Sequence, residues 1–332
     1  MKGLDVGTSY IILSTSNNDT IEYKDFRDAF YIIKPTTPVA TKMIEKGLAG
    51  KVFIKDTDNS FIILGKDAIE KAIERNDNAK RPMSKGVVSA KEKDAKRVLA
   101  FILKEVAGTA SEQNEKIVFC VPGQPVDQED DDFDVGYHED VIKTVLAECG
   151  YDAKAINEAE ALCYAELADE DYTGIGVSCG AGMTNVCVML NGEPTVVFST
   201  TKSGDWIDRM TAIATGEKDS VVQAEKEGGN FVIGENNDNP ILSAVSSYYD
   251  RLIDYTTKQL SAALSNHKSL PKFKSPLTVV VAGGTSQAKG YVDKFTEKLN
   301  ENNFPLPIKV VKHASDPLHS VAKGCLIAAK VL

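Results

Sequence analysis

The sequence predicts an α/β protein of two lobes, each built on a twisted mixed sheet, that meet around a central cleft. Three observations point there. Glycine-bearing turns follow apolar, strand-like runs at three distant places: Leu4-Asp5-Val6-Gly7-Thr8-Ser9-Tyr10, Val177-Ser178-Cys179-Gly180-Ala181-Gly182-Met183-Thr184 and Val280-Val281-Ala282-Gly283-Gly284-Thr285-Ser286. The strand, glycine turn, strand opening occurs twice, at the N-terminus and near position 177, each time followed by strands and helices in mixed order, as a weak internal duplication leaves it. Hydrophobic residues fill 42% of the 332 positions, enough for each lobe to have its own core.

Taken in order, residues 2–6 and 11–14 are expected strands flanking Gly7-Thr8-Ser9. Strand-like runs recur at 29–33, 50–54 and 60–64. Gly65-Lys66-Asp67 then opens a helix to about residue 74, with Ile69, Ala72 and Ile73 at helical spacing. Residues 81–88 are a connector rich in turn formers, and a helix over about 90–107 buries Val98, Leu99, Phe101, Ile102, Val106 and Ala107. A buried strand at 116–121 stops at Pro122-Gly123. An amphipathic helix at 139–149 ends on Gly150, and a helix at 158–168 follows. Strands at 175–177 and 185–190 flank the second glycine turn as a hairpin, and Asn191-Gly192 turns the chain into 195–200. Helices are expected at 205–214, 218–227 and 239–264, then a strand at 277–282, a helix at 290–299, a strand at 308–312 and a closing helix at 321–330. The expected lobes are 1–155, completed by a C-terminal helix at 316–332, and 156–315. Insertions are expected at about 34–82 and 216–238.

Composition narrows the function classes. A net charge of −10 argues against a general electrostatic nucleic-acid binder. The six cysteines show no C-x-x-C pairing and mostly sit in apolar runs, as buried free thiols in a reducing compartment do. The chain opens directly on a strand, without the charged and apolar regions of a signal peptide, and no apolar run reaches the ~20 residues of a membrane span. A cytoplasmic location is therefore expected. The acidic run Gln128–Asp134 suits a divalent ion, a solvated loop or the acids that precede a helix N-terminus. The four histidines lack metal spacing, no serine stands in a nucleophile elbow, and no P-loop motif is present.

Small residues at the three glycine turns let backbone N–H groups approach an anion closely. In this order and spacing the chain resembles the actin superfamily, and within it the bacterial actins of the MreB and MamK kind, from Lys2 to about Lys330. Asp5-Val6-Gly7-Thr8 resembles the first phosphate motif. Arg81-Pro82-Met83 with Gly86-Val87 is similar to the connector after the first insertion. Val118-to-Pro122 resembles the strand ending in V-P, and Ile156-Asn157-Glu158-Ala159 with Tyr164-Ala165 the first interdomain helix. Gly204-Asp205 resembles the G-D after the second β-unit, Gly283-Gly284-Thr285-Ser286 the adenosine motif, and Asp316-Pro317-Leu318 with Val321-Ala322-Lys323-Gly324 the second interdomain segment.

The resemblance implies a two-lobed actin-like ATPase fold, with duplicated ribonuclease-H-like α/β domains around a central nucleotide cleft. It implies ATP or ADP with Mg²⁺. The phosphate and nucleotide contacts would come from Gly7, Thr8, Ser9, Tyr10, Ser178, Gly180, Ala181, Gly182, Met183, Thr184, Gly204 and Asp205. Glu225 and Lys226 would serve the adenine and ribose side, and Gly283, Gly284 and Thr285 the adenosine. Asp5 would hold Mg²⁺ through water, as hard oxygen ligands do, and Glu158 would orient the water that attacks the γ-phosphoryl group. Implied partners are a second copy in a head-to-tail filament and an adaptor or cargo protein, with neither direct nucleic-acid binding nor a membrane span.

Two departures stand out. Ser178 occupies the position where the second phosphate motif usually has aspartate, and Met183 one where threonine is common. A serine hydroxyl hydrogen-bonds but carries no charge, so hydrolysis is slow, or Asp5 and Glu158 suffice for it, or nucleotide is bound without turnover. The second insertion is short for an MreB. Three activities therefore fit: a filament-forming ATPase, a non-polymerising nucleotide-binding interaction module, and a small-molecule phosphotransferase on the same fold.

Overall fold

The computed structural model describes residues 1–17, 20–128, 133–268 and 270–332. The chain opens as a meander of β1 (Lys2–Val6), β2 (Tyr10–Asn17) and β3 (Thr20–Arg27), paired antiparallel in sequence order. A small unit with its own sheet follows: β4 (Phe30–Ile33), α1 (Pro38–Gly47), β5 (Phe53–Lys55), β6 (Phe61–Leu64) and α2 (Lys66–Glu74). Its strands form a small sheet in the order β4-β6-β5, with Phe61, Ile63, Leu48 and Ala68 in a separate core. The short hairpin of β7 (Met83–Ser84) and β8 (Val87–Val88) returns the chain to α3 (Ala95–Ala107), β9 (Glu115–Val121), α4 (Val135–Glu148) and β10 (Tyr151–Asn157). β9 and β10 add in parallel to β1, giving the sheet β10-β9-β1-β2-β3.

After α5 (Glu158–Glu166), the chain forms the meander of β11 (Gly174–Cys179), β12 (Thr184–Leu190) and β13 (Glu193–Thr200). Helices α6 (Gly204–Thr215), α7 (Asp219–Gly228) and α8 (Pro240–Ser265) lead to β14 (Leu277–Ala282), α9 (Tyr291–Glu301), β15 (Ile308–His313) and α10 (Ser320–Val331). The second sheet runs β13-β12-β11-β14-β15, with β14 and β15 parallel to β11. Its strand order repeats that of the first sheet element for element, so the duplication inferred from two glycine turns extends over both sheets. β11 and β14 are buried along their whole length, which is why neither shows the polar–apolar alternation of a half-exposed strand.

The two sheets meet through α5 and α10. A capping box starts α5, in which the Asn157 side chain accepts from the Glu160 N–H and the Glu160 carboxylate accepts from the Asn157 N–H. α10 crosses α5 at Gly324, where an added Cβ would stand 1.8 Å from the Ala161 carbonyl oxygen. It also lies on β1 at Gly3, where a Cβ would come within 2.3 Å of the Leu326 nitrogen. Ala159, Leu162, Cys163, Cys120, Val280 and Cys325 form the core at this junction. No disulfide forms among the six cysteines, and all but Cys149 are buried.

The element pattern departs from the sequence expectation where burial is one-sided. β3 is an edge strand with alternating exposed and half-buried residues, and α1 buries none of its residues, so neither produces a long apolar run. β10 lies at the other edge of the same sheet. α3 begins at Ala95 rather than near residue 90, and β5 covers Phe53–Lys55 rather than 50–54. Of the acidic run, residues 129–132 lie outside the described residues, while Asp134 caps α4 by accepting from the Tyr137 N–H at 2.8 Å. Among the described residues, no helix is long and apolar enough to cross a membrane.

Candidate functional site

The hairpin turns of the two meanders face each other across a cleft of about 550 Å³, within the range of small-molecule sites. The first turn closes by Gly7 N–H donating to the Tyr10 carbonyl at 3.0 Å, and the second by Gly180 N–H donating to the Met183 carbonyl at 3.0 Å. The turns approach so closely that a Cβ on Gly182 would lie 2.5 Å from Thr8 Oγ1. Thr8 Oγ1 in turn accepts from Gly86 N–H of the β7–β8 turn at 3.1 Å. Among the described residues, the N–H groups of Thr8, Ser9, Ala181 and Gly182 have no protein acceptor. Aimed from two lobes, such donors form an anion-binding concavity.

The third glycine turn is joined to the second. Gly283 has φ of +88°, and a Cβ there would meet the Cys179 carbonyl at 2.3 Å, so both conformation and space call for glycine. The Gly180 carbonyl accepts from Thr285 Oγ1 at 2.7 Å, Ser203 Oγ at 2.6 Å and Gly204 N–H at 3.2 Å. Ala181 O accepts from Asp205 N–H at 2.8 Å. The second turn, the third turn and the start of α6 thus form one rigid wall.

Two carboxyl groups lie on the cleft floor. Asp5, near the end of β1, accepts from Cys120 Sγ at 3.1 Å. Protein crowding raises its pKa to about 6, against the opposing effects of the Cys120 bond and the His319 charge. Glu158 is the first residue of α5. Its Oε1 accepts from Ser178 Oγ at 2.6 Å and its Oε2 from Asn185 Nδ2 at 2.8 Å. Burial first and the Asp5 charge second push it up to about 8, while the Ser178 bond pulls it down. Each keeps one face toward the cleft.

Asp5, Gly7, Thr8, Ser9, Tyr10, Glu158, Ser178, Gly180, Ala181, Gly182 and Met183 are brought together around this floor. Asp205, Lys226, Gly283, Gly284 and Thr285 line the same cleft. Three expected residues stand off it. Thr184 Oγ1 turns to the Lys202 carbonyl and Ser203 Oγ, both at 3.2 Å. Gly204 acts behind the wall through its bond to Gly180. Glu225 faces the start of α8, accepting from Asn239 Nδ2 at 3.1 Å. On α7 it is Gln223, Lys226 and Glu227 that line the cleft. Lys226 Nζ is held by Asp208 at 2.8 Å and by the Gly204 carbonyl at 3.2 Å. Burial raises Asp208 to about 6 even with Lys226 beside it.

Sequence reasoning missed several lining residues. Arg27 stacks over the Tyr10 ring, 4.6 Å from its centroid, and reaches Glu227 across the cleft at 3.0 Å. Phe231, Tyr249 and Lys289 also line the cleft, as do Pro317 and Leu318 of the segment that resembles an interdomain connector. Nothing in a single sequence marks Arg27 or Tyr249. Arg81 carried a signal in the Arg81-Pro82-Met83 connector; it grips both Asp205 oxygens at 2.8 Å.

Comparison with known proteins gives a consistent picture. The family model described as Volactin matches residues 1–329. No curated protein sequence matches the chain. Among solved structures, the chain is similar to one described as a MamK double helical filament, at 20% identity over 100% of this chain and 98% of that one, with a TM-score of 0.76. It is similar to MreB 5 of Spiroplasma citri bound to AMPPNP, at 17% identity, 99% and 96% coverage and a TM-score of 0.67. It is also similar to the ethanolamine utilization protein EutJ from Carboxydothermus hydrogenoformans, at 16% identity, 98% and 89% coverage and a TM-score of 0.53. At these identities the likeness establishes the fold, which is the two-lobed actin-like ATPase fold of the MreB and MamK kind.

Proposed function

This chain belongs to the Volactin family, and from that premise we propose that it binds an adenine nucleotide with Mg²⁺ between its lobes, hydrolyses it and assembles head-to-tail into filaments. The observation that carries the reading is the pair of hairpin turns with open N–H donors, facing each other above Asp5 and Glu158. Thr8, Ser9, Ala181 and Gly182 would bind the phosphates. Gly283 and Gly284 would let the adenosine lie against backbone, with Lys226 and Glu227 beside the ribose and base. The moving units would be residues 1–155 with 316–332, and 156–315.

Asp5 suits Mg²⁺: it is a hard oxygen ligand with a face toward the cleft, and no group of three or more His, Cys, Asp or Glu clusters among the described residues. An ion there would keep most of its waters. When bound, the ion would neutralise charge on the phosphates. Glu158 would orient the attacking water with a carboxylate oxygen. It is ionised for only part of the neutral pH range, so turnover would be slow near pH 7 and rise as pH passes about 8. Ser178 would take no part in charge stabilisation; its hydroxyl would hold Glu158.

Filament assembly is supported by the fold shared with the MamK structure described as a double helical filament, and nucleotide binding by the MreB 5 structure bound to AMPPNP. A head-to-tail contact is heterologous and propagates unless it closes into a ring. The location proposed for such a filament is the cytoplasm. The uncharged Ser178 favours a second reading, nucleotide binding without turnover or polymer.

Phosphate release and pelleting with ATP, with ADP and without nucleotide separate the two readings. The expected result is sedimentable polymer with ATP, and turnover that Glu158→Ala lowers at least about tenfold at unchanged affinity. Polymer under none of the three conditions would overturn the filament reading. Absence of calorimetric nucleotide binding would overturn both.

A further inference from the structure

Asn185 lies on β12, fully buried, behind the cleft rather than in its lining. Both ends of its amide are engaged. Oδ1 accepts from the Gly123 N–H at 2.8 Å, and Nδ2 donates to Glu158 Oε2 at 2.8 Å. Chemistry fixes which end is which: a backbone N–H can only donate, so oxygen faces Gly123 and the nitrogen is left for the carboxyl.

Gly123 belongs to the segment that leaves β9 of the first sheet and lies along β13, the edge strand of the second. Ser199 N–H donates to the Gln124 carbonyl at 3.0 Å, and Val126 N–H to the Ser199 carbonyl at 2.9 Å. Ser199 Oγ donates to the Gly123 carbonyl at 2.7 Å. Asp127 completes the docking, accepting from Thr201 N–H at 2.8 Å and from the Tyr255 hydroxyl at 2.6 Å. The approach at Gly123 is tight, because a Cβ there would stand 3.0 Å from the Phe198 carbonyl carbon.

Glutamate has three rotatable side-chain bonds, and a group that aims a water needs to be held within about 0.5 Å. Here one oxygen is held by Ser178 from β11 and the other by Asn185 from β12. We propose that Asn185 is a positioning residue for Glu158, and that it links the docking of the 122–127 segment between the lobes to the aim of that carboxyl. The proposal rests on Glu158 being the water-orienting group. A rotation of the lobes that lifts the segment from β13 withdraws the Gly123 N–H. The amide is then free to turn, and Glu158 loses one of its two anchors.

The test is Asn185→Leu in the full chain, a near-isosteric change that removes the donor to Glu158 without adding a charge beside it. The expected result is a kcat lowered about tenfold, the worth of one charge-assisted hydrogen bond, with KM and nucleotide affinity unchanged because the residue does not line the cleft. The double variant Glu158→Ala, Asn185→Leu is expected to turn over no more slowly than Glu158→Ala alone, since Asn185 acts only through Glu158. Multiplying losses in the double variant, or an unchanged kcat in Asn185→Leu, would overturn the proposal. Should Asn185→Leu fail to fold, Asn185→Ala carries the same readouts. Carbon NMR of the side-chain carboxyls decides independently of turnover. With the Glu158 resonance assigned by its loss in Glu158→Gln, it is expected to move in the Asn185 variant, and a stationary resonance contradicts the proposal. Unchanged turnover in Glu158→Ala would instead remove the role given to Glu158, while the resonance would still report whether Asn185 holds its carboxyl.

Discussion

Glu158 sits where two effects oppose each other. Crowding by protein and the neighbouring Asp5 favour its protonated form, while the Ser178 Oγ bond at 2.6 Å favours its ionised one. Crowding wins, so the folded pKa of about 8 stands above the ordinary 4.5. The sign for stability follows. The contribution is whole below pH 4.5 and is lost as pH climbs through about 8, and Asp5 adds a slope of the same sign between 3.8 and about 6. Glu158→Gln resembles the protonated acid, with the Ser178 hydroxyl free to rotate and accept from the amide. In metal-free buffer its melting temperature is expected to match wild type near pH 4 and to exceed it by about 3 °C or more near pH 8. A pH-independent offset would contradict the raised pKa. Asp5 was legible beside the first glycine turn, and Glu158 through the resemblance of Ile156-Asn157-Glu158-Ala159 to an interdomain helix; the structure brings both to the same cleft. Asn185 was not legible, since one polar residue inside an apolar strand looks like an ordinary buried amide. Glu225 and Glu227 show a different limit. At about 100° per residue, positions two apart on a helix point to nearly opposite sides. The sequence marks the helix but not its phase, and the phase turns Glu225 to Asn239 and Glu227 to the cleft.

At the scale of elements, the hairpins β1–β2 and β11–β12 were legible because an apolar strand, a glycine turn and a second strand are local in sequence. The edge strand β3 and the helix α1 escaped because their burial is set by what packs against one side only. The crossing of α5 and α10 illustrates a third kind of information. Gly324 sits in the middle of α10, where glycine weakens a helix, and no local rule asks for it. Its reason lies 163 positions away, in the Ala161 carbonyl that a Cβ would approach to 1.8 Å. Gly324→Ala improves helix propensity by up to about 1 kcal/mol yet is expected to destabilise overall, by about 1–3 kcal/mol, as overpacking does. Urea denaturation measures the balance. A stabilised variant would mean that the helices can separate there without loss.

Across the whole molecule, the lobes are bridged above the cleft by pairs that sequence cannot foresee, because their members lie more than a hundred residues apart. Arg27 reaches Glu227 at 3.0 Å, Arg81 takes Asp205 at 2.8 Å and Gln223 at 3.3 Å, and Lys218 bonds Asn76 at 2.8 Å. Asp28, fully buried and without a hydrogen-bond partner, lies in the field of both arginines; burial outweighs their attraction and holds its pKa well above the carboxylate range. The bridges differ in geometry. Arg81 shares Nη1 between both oxygens of Asp205 and gives Nη2 to Gln223, whereas Arg27 makes one bond to a half-exposed Glu227. Closure over a ligand is therefore expected to depend more on Arg81. Arg81→Ala removes these three bonds and leaves Asp205 at the cleft wall without its cation, adding negative charge beside an anionic ligand. Both effects act on the closed state, so release is affected more than capture. Stopped-flow displacement of a fluorescent ATP analogue is expected to show release about tenfold faster in Arg81→Ala, equivalent to one charge-assisted bond, and a smaller change in Arg27→Ala. Equal release rates in wild type and Arg81→Ala would mean that the bridge is a surface ornament, and that the lobes are held closed by the α5–α10 junction alone.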